Sequence, residues 1–121
     1  MDPEYASLEK AVNLPDLLAR VEDDRELLND LLEMFQTELP GHLEALQESI
    51  TTGELSVTAK AAHAIKGMLA NLSMEKGATL AATVEAAARN GDIQTVKSTF
   101  IVFEQETASL SAAVDAFMAG K

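Results

Sequence analysis

Apolar side chains return every three or four positions along most of this chain, and the phase of each run predicts a helix. The first run is short: Leu14, Leu17, Leu18 and Val21 keep the spacing, with Asn13 placed as a cap and Pro15 near the first turn. A long stripe follows through Leu28, Leu31, Leu32, Phe35, Leu39, Leu43, Leu46 and Ile50, with Asp23 and Glu26 at capping-box spacing before it. Pro40-Gly41 falls inside this stripe, at a cost of about 3 kcal/mol for the proline. The stripe nevertheless keeps its phase across the pair, which predicts one kinked helix rather than two. Gly53 then marks a stop and Glu54 a new start.

A third long segment runs from about Leu55 to Leu72. Ser73 stands as a cap for a fourth, Met74 to Arg89, lined by Leu80, Ala81, Val84 and Ala88. Gly91 and Asp92 repeat the stop and start. The last stripe is the clearest: Ile93, Val96, Phe100, Phe103, Thr107, Leu110, Val114 and Phe117 recur to the C-terminus. Short links between long helices imply antiparallel neighbours. The expected fold is therefore all-α, an up-and-down four-helix bundle with a short extra N-terminal helix, forming one domain over residues 1–121 with its core at roughly 14–118.

Composition narrows the function. Only 4% of the 121 residues are aromatic, which favours helix over sheet, and the absence of cysteine removes disulfides, thiol catalysis and Cys-based zinc sites. No apolar run reaches membrane-spanning length and no signal peptide is evident, so the expectation is a cytoplasmic protein without a membrane role. Nine basic against twenty acidic residues give a net charge of −11. With Lys and Arg scattered, nucleic acid is disfavoured as a partner.

Against that acidic background the segment from Leu55 to Met74 contains no Asp or Glu, yet it carries Lys60 and Lys66 at i−3 and i+3 from His63. On a wheel of about 100° per residue, Val57, Ala61, Ile65, Met68, Leu69 and Leu72 share one side, which is expected to face the core. His63 lies opposite, with Ala59, Lys60, Lys66, Gly67 and Ala70. Small residues there, Ala62 among them, would leave the imidazole on a low surface open to a macromolecule. An exposed mid-helix glycine costs about 1 kcal/mol relative to alanine, and close approach of a partner at Gly67 explains it better than helix packing. A neutral imidazole, with a free pKa near about 6.5, is a good nucleophile at pH 7. His63 is thus a candidate phosphoacceptor, weighed against an ordinary surface histidine.

The stretch "AAHAIKGMLANLS" resembles the signature of histidine-containing phosphotransfer (HPt) domains of multistep phosphorelays: His63, Ile65, Lys66 and Gly67 in order, then "LANLS". The likeness covers nearly the whole chain, including "DLLARVEDDRELLNDLLEMF" and "ARNGDIQTV". The resemblance implies that His63 carries a phosphoryl group between receiver-domain aspartates of response regulators or hybrid kinases. By the same resemblance Lys66 holds the phosphoryl oxygens, Gly67 makes room for the receiver, and Ala59, Ala70 and Asn71 centre the docking face. Glu85 falls where the family places a Gln or Glu against the histidine, and would accept from its N–H. Lys60 joins Lys66 in stabilising the phosphoryl group. Two departures stand out: Ser73 replaces the usual glycine, and Met68 a usual Ser or Ala.

Such a domain is a phosphocarrier rather than an enzyme, with no ATP site, cofactor or metal expected: there is no glycine-rich phosphate loop, and His42 and His63 lie on different helices without an inward Glu-x-x-His pair. His42 reads as a surface residue, while Met34 borders the docking face or packs in the core. The alternatives are a domain excised from a hybrid sensor kinase and a phosphate-free helical interaction module. A monomer is expected, because each stripe is satisfied within one bundle.

Overall fold

The computed structural model describes residues 3–120. A 3-10 turn at Pro3–Tyr5 is followed by α1 (Ala6–Glu9), α2 (Leu14–Arg20), α3 (Arg25–Thr52), α4 (Leu55–Asn71), α5 (Glu75–Arg89) and α6 (Ile93–Ala119), with no strand among the described residues. The long helices pack as a ring, α3 on α4, α4 on α5, α5 on α6 and α6 back on α3, which is the expected four-helix bundle. Two short helices, not one, precede it. Tyr5 stacks on Phe117 with the Arg25 guanidinium over both rings and paired with Glu4, which ties the N-terminal turn to α6.

The helix ends follow local chemistry, with two corrections. Asn13 caps α2 by accepting from the Asp16 N–H, and Asp92 caps α6 by accepting from the Thr95 N–H. The cap of α3 is Asp24, whose side chain accepts from the Leu27 N–H, so the Asp23–Glu26 capping box does not form; Asp23 is in the left-handed region at φ 58°. Nor does Ser73 cap α5. It adopts φ 57° and terminates α4, in the same way that Gly53 (φ 78°) and Gly91 (φ 72°) terminate α3 and α5. At all three links an N–H one residue beyond reaches back five residues, Glu54 to Ser49, Met74 to Leu69 and Asp92 to Ala87. Ser73 thus does a glycine's work, and its hydroxyl donates to Asp16 Oδ2 at 2.6 Å, joining α2 to the α4–α5 link. That bond, with Arg20 beside it, holds the Asp16 carboxyl below the ordinary carboxylate range.

The helix α3 runs unbroken through Pro40, which sits on its exposed side. Buried side chains of all the helices from α1 to α6 form one cluster around Phe35 and Phe103. The face of α4 differs from expectation. Its buried arc is Thr58, Ala59, Ala62, Ile65 and Leu69, whereas Val57 is 44% exposed and Ala61 and Met68 are only half-buried. The helix is therefore turned by about 60° from the wheel drawn on hydrophobicity, toward its close packing with α5.

Candidate functional site

That rotation decides what surrounds His63. The imidazole stands at the edge where α4 meets α5, not opposite the core, and its side chain is 63% exposed. Glu85 reaches it from the middle of α5, the one charged residue that is buried among those described, its side chain at 10% exposure. Glu85 Oε2 lies 3.0 Å from His63 Nδ1. Lys66 Nζ donates to Oε1 at 2.9 Å, and Arg89 donates twice to Oε2, from Nη2 at 2.8 Å and from Nε at 3.2 Å. One carboxylate thus gathers an imidazole and two cations.

The chemistry of this cluster follows from the carboxylate. The Lys66 ammonium foremost, then Arg89, hold the Glu85 carboxyl down to about 2; burial opposes them, and His63 adds a smaller favourable contribution. Glu85 is therefore an anion at any physiological pH and can only accept. The hydrogen bond to His63 must then be Nδ1–H donating to Oε2, which leaves the ring's lone pair on Nε2. With Glu85 at −1 and Lys66 and Arg89 at +1 each, the cluster keeps one net positive charge beside that lone pair. An incoming dianion meets attraction despite the −11 of the whole chain.

The structure brings together His63, Lys66 and Glu85 of the residues singled out in the sequence. Lys60 is exposed one turn before His63 and has no hydrogen-bond or ion-pair partner among the described residues. Gly67, Ala70 and Asn71 are exposed. Among the described residues, no atom of another element lies within 4 Å of where a Cβ on Gly67 would stand, so packing among them does not account for the glycine. Ala59 is a correction: at 4% exposure it belongs to the core and cannot belong to a docking face, and Ala62 is buried with it. His42 is likewise no simple surface residue. It is half-buried and lines a groove of about 290 Å³ between α3 and α4, together with Met34, Phe35 and Met68.

Arg89 is the residue that sequence reasoning missed. Its signal was the i, i+4 spacing from Glu85, which places an acid and a base on one helix face. Among the described residues there is no group of three or more His, Asp or Glu able to hold a metal ion, and no helix is long and apolar enough to cross a membrane.

Comparison with curated proteins and with solved structures returned no match in either case. The family model described as Hpt domain matches residues 30–114, from within α3 to within α6 and across the whole His63 cluster. On that match this chain belongs to the Hpt domain family, helical phosphocarriers of phosphorelays that work with receiver domains and have no catalytic activity of their own.

Proposed function

We propose that His63 is the phosphoacceptor of this domain, taking a phosphoryl group from a receiver's phospho-aspartate and passing it to another receiver's aspartate. The observation that carries the reading is the Glu85–His63 hydrogen bond, which fixes the ring as an Nδ1–H tautomer with Nε2 as the nucleophile. In the forward step the Nε2 lone pair forms the N–P bond while the acyl P–O bond breaks, and the electron pair leaves on the receiver's carboxylate. The Nδ1 proton stays in place. The phosphorylated ring is then cationic and rests against the Glu85 anion, so the charge formed in the reaction has a counter-charge waiting for it. Lys66 moves from Glu85 Oε1 to the phosphoryl oxygens, and Arg89 keeps Glu85 neutralised after Lys66 has left. Positioning and charge neutralisation are the domain's whole contribution, the receiver supplying its own metal and acidic pocket.

The site is built on two mutually packed helices, which suits a group that must present one atom in line to successive partners. Gly67, Ala70 and Asn71 give those partners an unobstructed approach beside His63, and the exposed Lys60 adds positive charge one turn away. We read residues 1–121 as a single such domain acting as a monomer.

The test is transfer from a panel of phosphorylated receiver domains to the wild-type chain and to His63→Gln. Acid-labile, base-stable label on the wild type alone is the expected result. Equal labelling of both chains, or no label from any receiver with the protein folded, would return the domain to a phosphate-free interaction module.

A further inference from the structure

The outward side of α6 carries no charge along the whole of its 27 residues. All four charged side chains of this helix stand off to one flank or the other. Asp115 is bonded to Gln36 of α3, Glu104 rims a groove with Leu43 of α3, and Lys97 shares their flank on a wheel of about 100° per residue. Glu106, on the opposite flank, pairs with Lys76 of α5. Between the flanks runs a strip of Ser98, Ile101, Gln105, Ala108 and Ala112, every one exposed, spaced alternately by three and four residues as in a helix-pairing seam. The helix α3, by contrast, exposes six carboxylates. A surface helix ordinarily turns charge to water opposite its core face, so an uncharged outward strip has the make-up of a face that is covered.

The strip is also asymmetric along its length. Its N-terminal half holds the bulk: Ile101 is 59% and Val102 45% exposed, and the two lean toward opposite flanks. The C-terminal half is alanine and serine, with a shallow groove on each side. Leu43, Ala108 and Ser111 line one on the α3 side. On the other, Ser109 and Ala113 face Ser7 and Ala11 across a groove of about 410 Å³. Turning one copy end for end on another sets each bulky half on a small half, twice. About a two-fold axis near Gln105, Ile101 of each copy falls over the groove beside Ala108, and Val102 over the groove beside Ser109. Such an axis sets each flank against the same flank of the other copy, so Lys97 of each meets Asp115 of the other in this register. Lys97 has no ion-pair partner among the described residues, and Asp115 has only the neutral Gln36. The one like-charged meeting is of the two Glu104 side chains, at the rim.

We propose that this strip of α6 pairs with the same strip of a second copy, antiparallel, in a weak two-fold dimer. A chain of net charge −11 repels its own copies, and here that repulsion has no local charge to act on. The ring of helices puts α6 diagonally across the bundle from α4. A pair joined at α6 therefore carries its two His63 sites on its far sides, both open to receivers. A seam about 40 Å long and about 10 Å wide buries roughly 800 Å² over both copies, below the standard size. Pairing is accordingly weak: a dilute copy acts singly, as read above, and copies held close together pair. The inference goes beyond the phosphotransfer reading and does not rest on it.

Sedimentation equilibrium of the whole chain between about 10 μM and about 1 mM measures the pairing. The wild type is expected to dimerise with a Kd of about 100 μM. Ala112→Glu sets a carboxylate in the seam and should raise that value at least about tenfold, with folding checked by thermal unfolding. Lys97→Glu should weaken pairing too, and Lys97→Glu with Asp115→Lys should restore it. The chain has no cysteine, so a single introduced thiol reports orientation. Gln105→Cys, beside the axis, should give a disulfide-linked dimer in air, whereas Gln94→Cys, at the distant end, should not. A wild type that stays monomeric at about 1 mM overturns the proposal. So does a dimer that Ala112→Glu leaves intact, or one that Gln94→Cys cross-links, since that pairing is parallel. Labelling of His63 by receivers is expected to be the same in Ala112→Glu as in the wild type, so loss of pairing and loss of transfer are read separately.

Discussion

At the scale of single residues, Glu85 and Gly67 are the positions whose chemistry is least explained by folding. A buried acid costs stability unless it is paired, and Glu85 is paired three times over. In the proposed transfer, Arg89 is the partner that remains when Lys66 turns to the phosphoryl group. Arg89→Ala, at an exposed position, should slow transfer to His63 about tenfold, because Lys66 is then held as the sole counter-charge of Glu85. Arg89→Lys keeps the second cation on Glu85 and should recover most of the rate. A rate equal to wild type in Arg89→Ala would show that Lys66 leaves Glu85 without help from Arg89. Gly67 gives an opposite pair of effects. A Cβ there meets no other element among the described residues, so Gly67→Ala should stabilise the fold by about 1 kcal/mol. In the proposed docking the same methyl stands in the partner's path, and the half-saturating receiver concentration should rise. A stabilised variant with unaltered docking would leave Gly67 without a functional account.

At the scale of elements, the three links share one device, a left-handed residue with a backbone bond reaching back five residues, and this makes the long helices stop cleanly and reverse. Within the helices, glycines behave by location. Gly41 in α3 has open space around it, so Gly41→Ala should add about 1 kcal/mol in chemical denaturation. Gly77 in α5 would place a Cβ 2.9 Å from Leu69 Cδ1 and 3.1 Å from Leu110 Cδ1, both on fully packed side chains. Gly77→Ala should therefore cost about 1–2 kcal/mol, since both buried leucine tips must shift to admit the methyl. Two substitutions of the same type would thus separate in sign, and equal effects would show that α5 is less closely held between α4 and α6 than the structure indicates.

At the scale of the whole molecule, the bundle carries a surplus of acid, and its response to pH is set by the few carboxylates it holds ionised. Glu85 drops from an ordinary 4.5 to about 2 on folding. Its contribution is complete above the unfolded value and is lost as pH falls through the folded one. After allowance for the partly exposed Lys66 and Arg89, that contribution is about 2 kcal/mol. The stability difference between wild type and Glu85→Gln should be level above about pH 5.5 and shrink steadily toward pH 2. A difference that persists unchanged at pH 2 would place the stabilisation in packing rather than in charge.

The sequence by itself determined the helices, their order and their antiparallel packing, because period and turn chemistry are local: apolar positions every three or four residues, Asn13 and Asp92 as caps, Gly53 and Gly91 as stops. It also singled out His63 and Lys66, since an acid-free basic segment in a chain of net charge −11 stands out without any fold. Only the tertiary structure decided which side of α4 is buried. Alanines stand all round that helix, so hydrophobicity cannot distinguish an Ala59 packed in the core from an Ala70 left in solvent. The packing of α4 on α5 settled that choice. In doing so it set His63 against Glu85, a pairing the family resemblance alone had implied, drew Lys66 and Arg89 to the same carboxylate, and opened the groove at Met34. Periodicity fixes the spacing of side chains along a helix, but the neighbour fixes its rotation, and the geometry of this site is a matter of rotation.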